Sequence, residues 1–479
     1  MTTRVAASHL FADAERGVLA DVALEHAAGR ITGLEAGQPV AGPRRFVVPA
    51  LVNAHDHGRP AMASFGAGGM PLETWIARSA FGAPPEPYLA TAVPLARAAR
   101  AGCGAMMIHY TRPSGTMALV DEARAIARAA GDVGIRLAFA LAVRDRNPLV
   151  YGDGAAVLAQ LPAEGRRAVE ELFVRPAMAP RAYVELVDAI AAAIAGPTVD
   201  VQFGPAGVQW CSPPMLEAIA AHSARTGRRV HMHLLETVYQ RAWADRTFPG
   251  GIVAYLRDIG LLSERLTLAH CTHARPDELD LIAAAGATIV TNFSSNLHLR
   301  SGLAPIAEAH RRGCRIAVGI DGVALDEDDD AIREMRLVQL VHDGVGFGRT
   351  WSPAEFLALA LRDGRRAVGA PGDGRLVPGA PADFAVLDLD RLDRDAIMPV
   401  DPLDLMFARG NTSCVRDVVV DGRTIVRDGR PTGIDLAAAE AELRARFRAA
   451  LPRYAALERH WRPFDAALTE WFRSYCGCA

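Results

Sequence analysis

Lysine is missing from this 479-residue chain, and every basic side chain other than histidine is arginine. Alanine and glycine are abundant, so a coding bias accounts for the absence, but it has chemical consequences. No lysine is there to form a Schiff base with a carbonyl substrate, and none can be carbamylated to bridge two metal ions. Long apolar runs are missing too: no stretch is of bilayer-spanning length, and Met1-Thr-Thr-Arg-Val5 has no signal-peptide core, which makes the cytoplasm the expected location. Charge of one sign is scarce, with a net charge of −3 and no basic run, which argues against nucleic acid or membrane as partners. The seven cysteines (Cys103, Cys211, Cys271, Cys314, Cys414, Cys476, Cys478) are odd in number and scattered, so no disulfide framework is expected. Cys476-Gly-Cys478 reads as a tail with spare thiols.

Half of the residues are apolar and 22% are charged, an ordinary globular profile long enough for one large domain with an appendage. The stretch that organises the rest is Pro49-Ala-Leu-Val-Asn-Ala-His-Asp-His-Gly58. Its apolar residues (Phe46, Val47, Val48, Leu51, Val52) predict a buried strand ending in His55 and His57. Alternate strand residues share a face, so both imidazoles would converge on one point, as a divalent metal requires. Taken alone, a pair of satisfied core histidines is nearly as good a reading.

Beyond this pair, strand-like runs alternate with helical ones. The runs are Ala105–Tyr110, Ile135–Val143, Val199–Phe203, Val230–Leu235, Leu266–His270, Thr288–Phe293 and Ile316–Ile320, which with the opening strand make eight. Between them lie amphipathic stretches such as Pro94–Ala101, Ala118–Ala130, Ala182–Ala195, Met215–Thr226 and Pro276–Ala285. The alternation predicts an α/β fold, a (β/α)8 TIM barrel over residues 50–369. From His55 to Asp321 is about 265 residues, near the ~250 typical of that barrel. Short strands before and after it (1–49 and 370–432) predict a composite β-sandwich domain built from both ends. Residues 433–479 read as a C-terminal helical extension broken by Pro452 and Pro463. The acidic run Asp326-Glu-Asp-Asp-Asp330 reads as a solvated loop.

Chemically capable side chains fall at the C-terminal ends of the predicted barrel strands, where the active sites of such barrels are built. Strand one gives His55 and His57, strand five Val230-His-Met-His-Leu-Leu-Glu-Thr237, strand six Leu268-Ala-His-Cys271 and strand eight Val318-Gly-Ile-Asp-Gly322. Two or three histidines and one aspartate form a plausible ligand set with an open position, and a nearby glutamate off the metal would serve as acid and base.

In six motifs, in order, the chain resembles the amidohydrolase superfamily, in its cytosine/guanine/adenosine-type aminohydrolase and triazine-hydrolase branch. These are Pro49–His57, His233-Leu-Leu-Glu236, His270, Ser295-Asn-Leu-His-Leu-Arg-Ser-Gly302, Asp321-Gly322 and Gly374-Arg-Leu-Val-Pro-Gly-Ala-Pro-Ala-Asp383. The resemblance covers nearly the whole chain. It implies that His55, His57, His233 and Asp321 hold one divalent ion, zinc or else iron, and that His270 polarises the substrate or orients the attacking water. Glu236 would carry the proton from that water to the leaving nitrogen, and Asp321 would double as a base. It also implies a homodimer or higher homo-oligomer. His231 points inward one layer deeper and is expected to pack in the core. Dinuclear relatives need a bridging group on strand four, where this chain has Gln202, so a mononuclear site is expected.

The pocket departs from purine-nucleoside deaminases of the branch, which often carry a histidine where this chain has Ala206. His109, Arg112, Gln209, Trp210 and His298 are the candidate substrate contacts, each with a structural alternative. Gln209 can read an amide edge and Trp210 can stack on a flat ring. Arg144-Asp-Arg-Asn147 reads as a surface salt-bridge cluster, with contact to a substrate carboxylate as the alternative. The function implied is deamination of an amino-substituted nitrogen heterocycle. Hydrolysis of another C–N or C–Cl bond in the same fold is the runner-up, and a catalytically silent ligand-binding barrel the third reading.

Overall fold

The structure is a computed structural model that describes residues 2–37, 39–59, 61–82, 86–322 and 325–476. Strands buried on both faces lack the polar alternation of a half-exposed sheet, and Cys103–Tyr110 is buried at every position. Eight such strands pair in chain order, all parallel: Leu51–Asn53, Cys103–Tyr110, Arg136–Val143, Val199–Pro205, Val230–Leu234, Leu266–His270, Thr288–Thr291 and Arg315–Val318. They are numbered one to eight below. The ring is closed by Ala54 N–H donating to Val318 O at 3.0 Å and Asp321 N–H donating to His55 O at 2.9 Å. Closure depends on Gly319, where an added Cβ would lie 2.8 Å from both the His55 backbone nitrogen and its Cβ.

The outer helices carry their own start and stop signals. Helix Pro213–Thr226 begins at Ser212, whose hydroxyl accepts the Met215 N–H, has proline in its first turn, and ends at Gly227 with φ 74°. Helix Pro276–Ala285 has the predicted bounds. Pro94 sits inside helix Pro87–Arg100 instead of opening it.

Strands from both ends of the chain join a second, separate sheet in the order Arg430–Pro431, Arg423–Arg427, Val415–Val420, Phe384–Asp388, Arg45–Pro49, Thr3–Asp13, Gly17–Ala27 and Arg30–Ala36. Leu10, Val22, Leu24, Ile31, Val47 and Phe384 form its own apolar cluster. The pairing runs unbroken through all eight strands, because Thr3–Asp13 pairs with Gly17–Ala27 on one side and Arg45–Pro49 on the other. Asp383, at the end of the Gly374–Asp383 motif, ties the sheet to the barrel. It accepts from Arg136 Nε at 3.0 Å on strand three, from Arg365 Nη1 at 3.1 Å and from Asp421 N–H at 2.7 Å.

Several expectations are corrected. The apolar run 46–52 is not one strand: Arg45–Pro49 belongs to the composite sheet and Leu51–Asn53 to the barrel, so His55 and His57 follow a strand end. Strand seven stops at Thr291, and Phe293–His298 is helical. The C-terminal helices are Leu436–Ala450 and Ala455–Cys476; the chain breaks at Pro452, but Pro463 lies within the second helix. The acidic run is partly structural, since Asp329 and Asp330 are buried and Asp330 caps helix Ala331–His342. The side chain of Cys476 and all of Cys478 lie outside the described residues. Among the described residues, no helix is long and apolar enough to cross a membrane.

Candidate metal centre and active site

The closing hydrogen bonds of the ring also gather the predicted ligands, because they bring Asp321 of the eighth loop against His55 and His57. Asp321 Oδ1 lies 3.3 Å from His55 Nε2 and 3.0 Å from His57 Nε2, and His57 Nε2 lies 3.3 Å from His233 Nε2. One ligand atom from each of His55, His233, His270 and Asp321 falls within 4.8 Å of all the others. All five side chains are buried. Asp56, between the two histidines, fixes the turn that aims them: its carboxylate accepts from His57 N–H at 2.7 Å and Gly58 N–H at 2.8 Å.

The opposite ring nitrogens are spoken for. His57 Nδ1 donates to His109 O at 2.8 Å, His233 Nδ1 to Ala206 O at 2.7 Å and His270 Nδ1 to Asn296 Oδ1 at 2.8 Å. A proton on Nδ1 leaves the Nε2 lone pair free for a metal. His55 Nδ1 pairs with His231 Nε2 at 2.6 Å, so His231 sits behind a predicted ligand. Burial drives His57, His231 and His233 well below the ordinary histidine range, His109 to about 3 and His270 to about 4, so these rings are neutral. Neutral imidazole is the form that binds metal. Among the described residues, His55 Nε2, His270 Nε2 and Asp321 Oδ1 are buried without a hydrogen-bond partner. Orphaned lone pairs at one point are costly unless a cation takes them, and the donors suit a borderline divalent ion. Gln202 turns to other partners, donating to Asp200 Oδ2 and Ala367 O, both at 2.9 Å.

Two of these groups sit on strained backbone, His270 at φ 75° and Asp321 at φ 62°, a conformation non-glycine residues adopt mostly where the surroundings enforce it. Glu236 Oε2 lies 3.6 Å from His270 Nε2, and Ser301 Oγ donates to Glu236 Oε1 at 3.3 Å. Burial first, then the charges of Asp321 and Glu73, push the Glu236 carboxyl well above its ordinary range.

The predicted pocket residues divide. Arg112 lines a small cavity against His57. Gln209 is buried on Gly207 with its Nε2 unpartnered, and Gly207 bridges to His233. Trp210 is buried with the Arg144 guanidinium 4.7 Å over its ring. His109 lies beside the ligand rings, with Nε2 3.1 Å from Gly204 O. His298 is exposed at the end of its short helix. The salt-bridge reading of 144–147 does not hold for Arg144, which has no acidic partner among the described residues; its recorded hydrogen bond is to Asn147 O.

Sequence reasoning missed the supporting residues. Ser295, Asn296 and Ser301 stood inside a quoted motif without roles. Asp56 was passed over between two histidines, and nothing in the sequence marked Glu73 or Arg59.

A parallel barrel with a histidine–aspartate cluster at the C-terminal ends of its strands defines a metal-centred enzyme of the (β/α)8 class. Residues 46–425 match the amidohydrolase family, and the chain belongs to it. It is 29% identical over 443 residues to a 5-methylthioadenosine/S-adenosylhomocysteine deaminase of Nitratidesulfovibrio vulgaris, covering 90% of this chain and 93% of that one. It is 30% identical over 436 residues to an 8-oxoguanine deaminase of Pseudomonas aeruginosa, covering 87% and 92%. The fold is similar to that of a variant of the atrazine chlorohydrolase TrzN from Arthrobacter aurescens solved with zinc and atraton. The TM-score is 0.75 at 23% identity, over 92% of this chain and 98% of that one.

Proposed function

We propose that the protein is a mononuclear metal-dependent aminohydrolase that converts an amino-substituted nitrogen heterocycle to its oxo product with release of ammonia. His55, His57, His233 and Asp321 would hold the ion. When bound, the ion would supply Lewis acidity, shifting the pKa of a water from about 15.7 toward ~7. We take it to be zinc before iron, and single, since strand four offers Gln202 turned toward Asp200 and Ala367. His270 orients the attacking water or polarises the ring. We also assign a small heterocyclic substrate, a cytoplasmic location and a homo-oligomeric state to the protein.

The observation that carries this reading is the place of Glu236. Its carboxyl is buried beside two other acids, which raises its affinity for a proton, as a group that takes one up and passes it on requires, and it stands 3.6 Å from His270 Nε2. A ring carbon attacked by water must expel either its exocyclic nitrogen or a ring nitrogen, and an unprotonated amine leaves badly. Glu236 takes the proton from the attacking water and returns it to the leaving nitrogen, with Ser301 holding its other oxygen. Chloride would need no such acid. The deaminase relatives support the same chemistry.

The test is a screen of amino-purines, pteridines, pyrimidines and triazines with ammonia detection and product mass. Exchange of NH2 for OH raises the mass by about one unit, the outcome expected of hydrolytic displacement at a metal site. A gain of a whole water would mean ring opening and would remove the aminohydrolase reading.

A further inference from the structure

The cavity beside His57 has a volume of about 20 Å³, and its wall includes Arg59, Ser79, Tyr110, Thr111 and Arg112. It has room for about one or two water-sized groups, and among the described residues no carboxylate lines it. Arg112 Nη2 donates to two neutral acceptors, Ile76 O at 2.5 Å and Ser79 Oγ at 2.6 Å. These contacts fix the guanidinium plane and leave its Nε and Nη1 donors for something else. Arg59 is packed over the Trp75 ring at 4.8 Å, with its Nε buried and unpartnered. Its nearest acid is the ligand Asp321, 3.7 Å from Nη2.

Among the described residues, no carboxylate pairs with Arg112 or is a main influence on its charge. Besides burial, the charged arginines acting on it are Arg144 and Arg59, and together these push its pKa down to about 9. Acids are not in short supply in this chain, with 55 against 52 arginines. The two buried arginines Arg136 and Arg365 pair with Asp383, and the half-buried Arg241 pairs with Glu278. Two half-buried cations, Arg59 and Arg112, facing one cavity are unfavourable unless an anion joins them.

We propose that Arg59 and Arg112 form a carboxylate-binding subsite beside the metal centre, so that the substrate is an amino-heterocycle whose ring carries a carboxylate. The planar fork of arginine suits a carboxylate, and the size of the cavity favours that group over a phosphate. This inference rests on the deaminase reading above and narrows its substrate class.

The test uses the full-length, metal-loaded protein and matched pairs of compounds with and without the carboxylate. For turnover these are pterin with pterin-6-carboxylate and cytosine with cytosine-5-carboxylate; for binding, measured by calorimetry, uracil with uracil-5-carboxylate and lumazine with lumazine-6-carboxylate. The carboxylated member of a pair is expected to be preferred at least about tenfold in kcat/KM or Kd. Arg112→Met should collapse that ratio toward one, mainly through KM, and Arg112→Lys should recover part of it because it keeps charge without the fork. Preferential deamination of the neutral members would overturn the subsite and leave the deaminase reading standing. Carboxylate-selective binding of the oxo compounds without ammonia from any amino compound would uphold the subsite and overturn the deaminase reading. A wild-type preference that survives in a folded Arg112→Met protein would remove Arg112 from the subsite.

Discussion

Ser295 Oγ donates to Asp321 Oδ2 at 2.6 Å, which leaves Oδ1 as the oxygen nearest His55 and His57. The serine lies in the short helix after strand seven and the aspartate beyond strand eight, so one hydrogen bond between neighbouring connections decides which carboxylate oxygen faces the candidate metal centre. Partners of this kind orient a ligand whose own backbone is strained, as Asp321 is at φ 62°.

Ser295→Ala is therefore expected to weaken divalent-metal affinity by roughly 10–100-fold, the usual weight of a residue supporting a ligand. Competition against a chromophoric chelator measures it directly. Unchanged affinity would reduce Ser295 to packing.

The barrel was legible because strands buried on both faces and amphipathic helices write different periods into the chain, and Leu266–His270 and Pro276–Ala285 keep their predicted bounds. The histidine–aspartate cluster was legible because each member stands near the end of a strand. What could not be read was long-range. The run Phe46–Val52 looks continuous in sequence, yet Ala50 passes it from one sheet to another. Glu73 is 163 residues from Glu236, and only folding sets it against Thr237. The Gly374–Asp383 motif is diagnostic as a pattern, but its aspartate serves the joint between sheet and barrel.

Glu236→Gln should retain metal and lose turnover by roughly 10²–10⁴-fold, because glutamine keeps the shape and the Ser301 contact but carries no transferable proton. Elemental analysis alongside kinetics checks both halves. Loss of the metal would make Glu236 a ligand instead of the proton carrier.

Asp383→Ala should cost about 3–5 kcal/mol of stability, since it strands Arg136 and Arg365 without their shared carboxylate. Burial alone would raise the Asp383 pKa, but Arg365, Arg136 and the Asp421 N–H outweigh it and hold the group below its ordinary value of 3.8. A depressed carboxylate stabilises the fold above the unfolded-state value, and that contribution is lost as pH falls through the folded-state one. Acid titration of thermal stability should accordingly show wild type losing more below about pH 4 than Asp383→Ala. Parallel acid limbs in the two proteins would contradict it.

Glu73 gives the opposite sign. Its Oε1 accepts from Thr237 Oγ1 at 2.5 Å and Tyr151 OH at 3.1 Å, and its Oε2 is buried without a partner. Burial raises the carboxyl from 4.5 to about 7, against the pull of those two hydroxyls. The folded protein thus keeps a proton that the unfolded chain releases between those two values. Stability must fall as pH rises through that window and level off above it. The full effect is about 3 kcal/mol, taking each pKa unit as about 1.4 kcal/mol. Glu73→Gln preserves the acceptor oxygen and cannot ionise, so its thermal midpoint should change less between pH 5 and 7.5 and should exceed wild type at pH 8. Measuring both metal-loaded proteins across that range decides it. The same slope in both would mean that Glu73 titrates in the folded protein as it does in the unfolded chain.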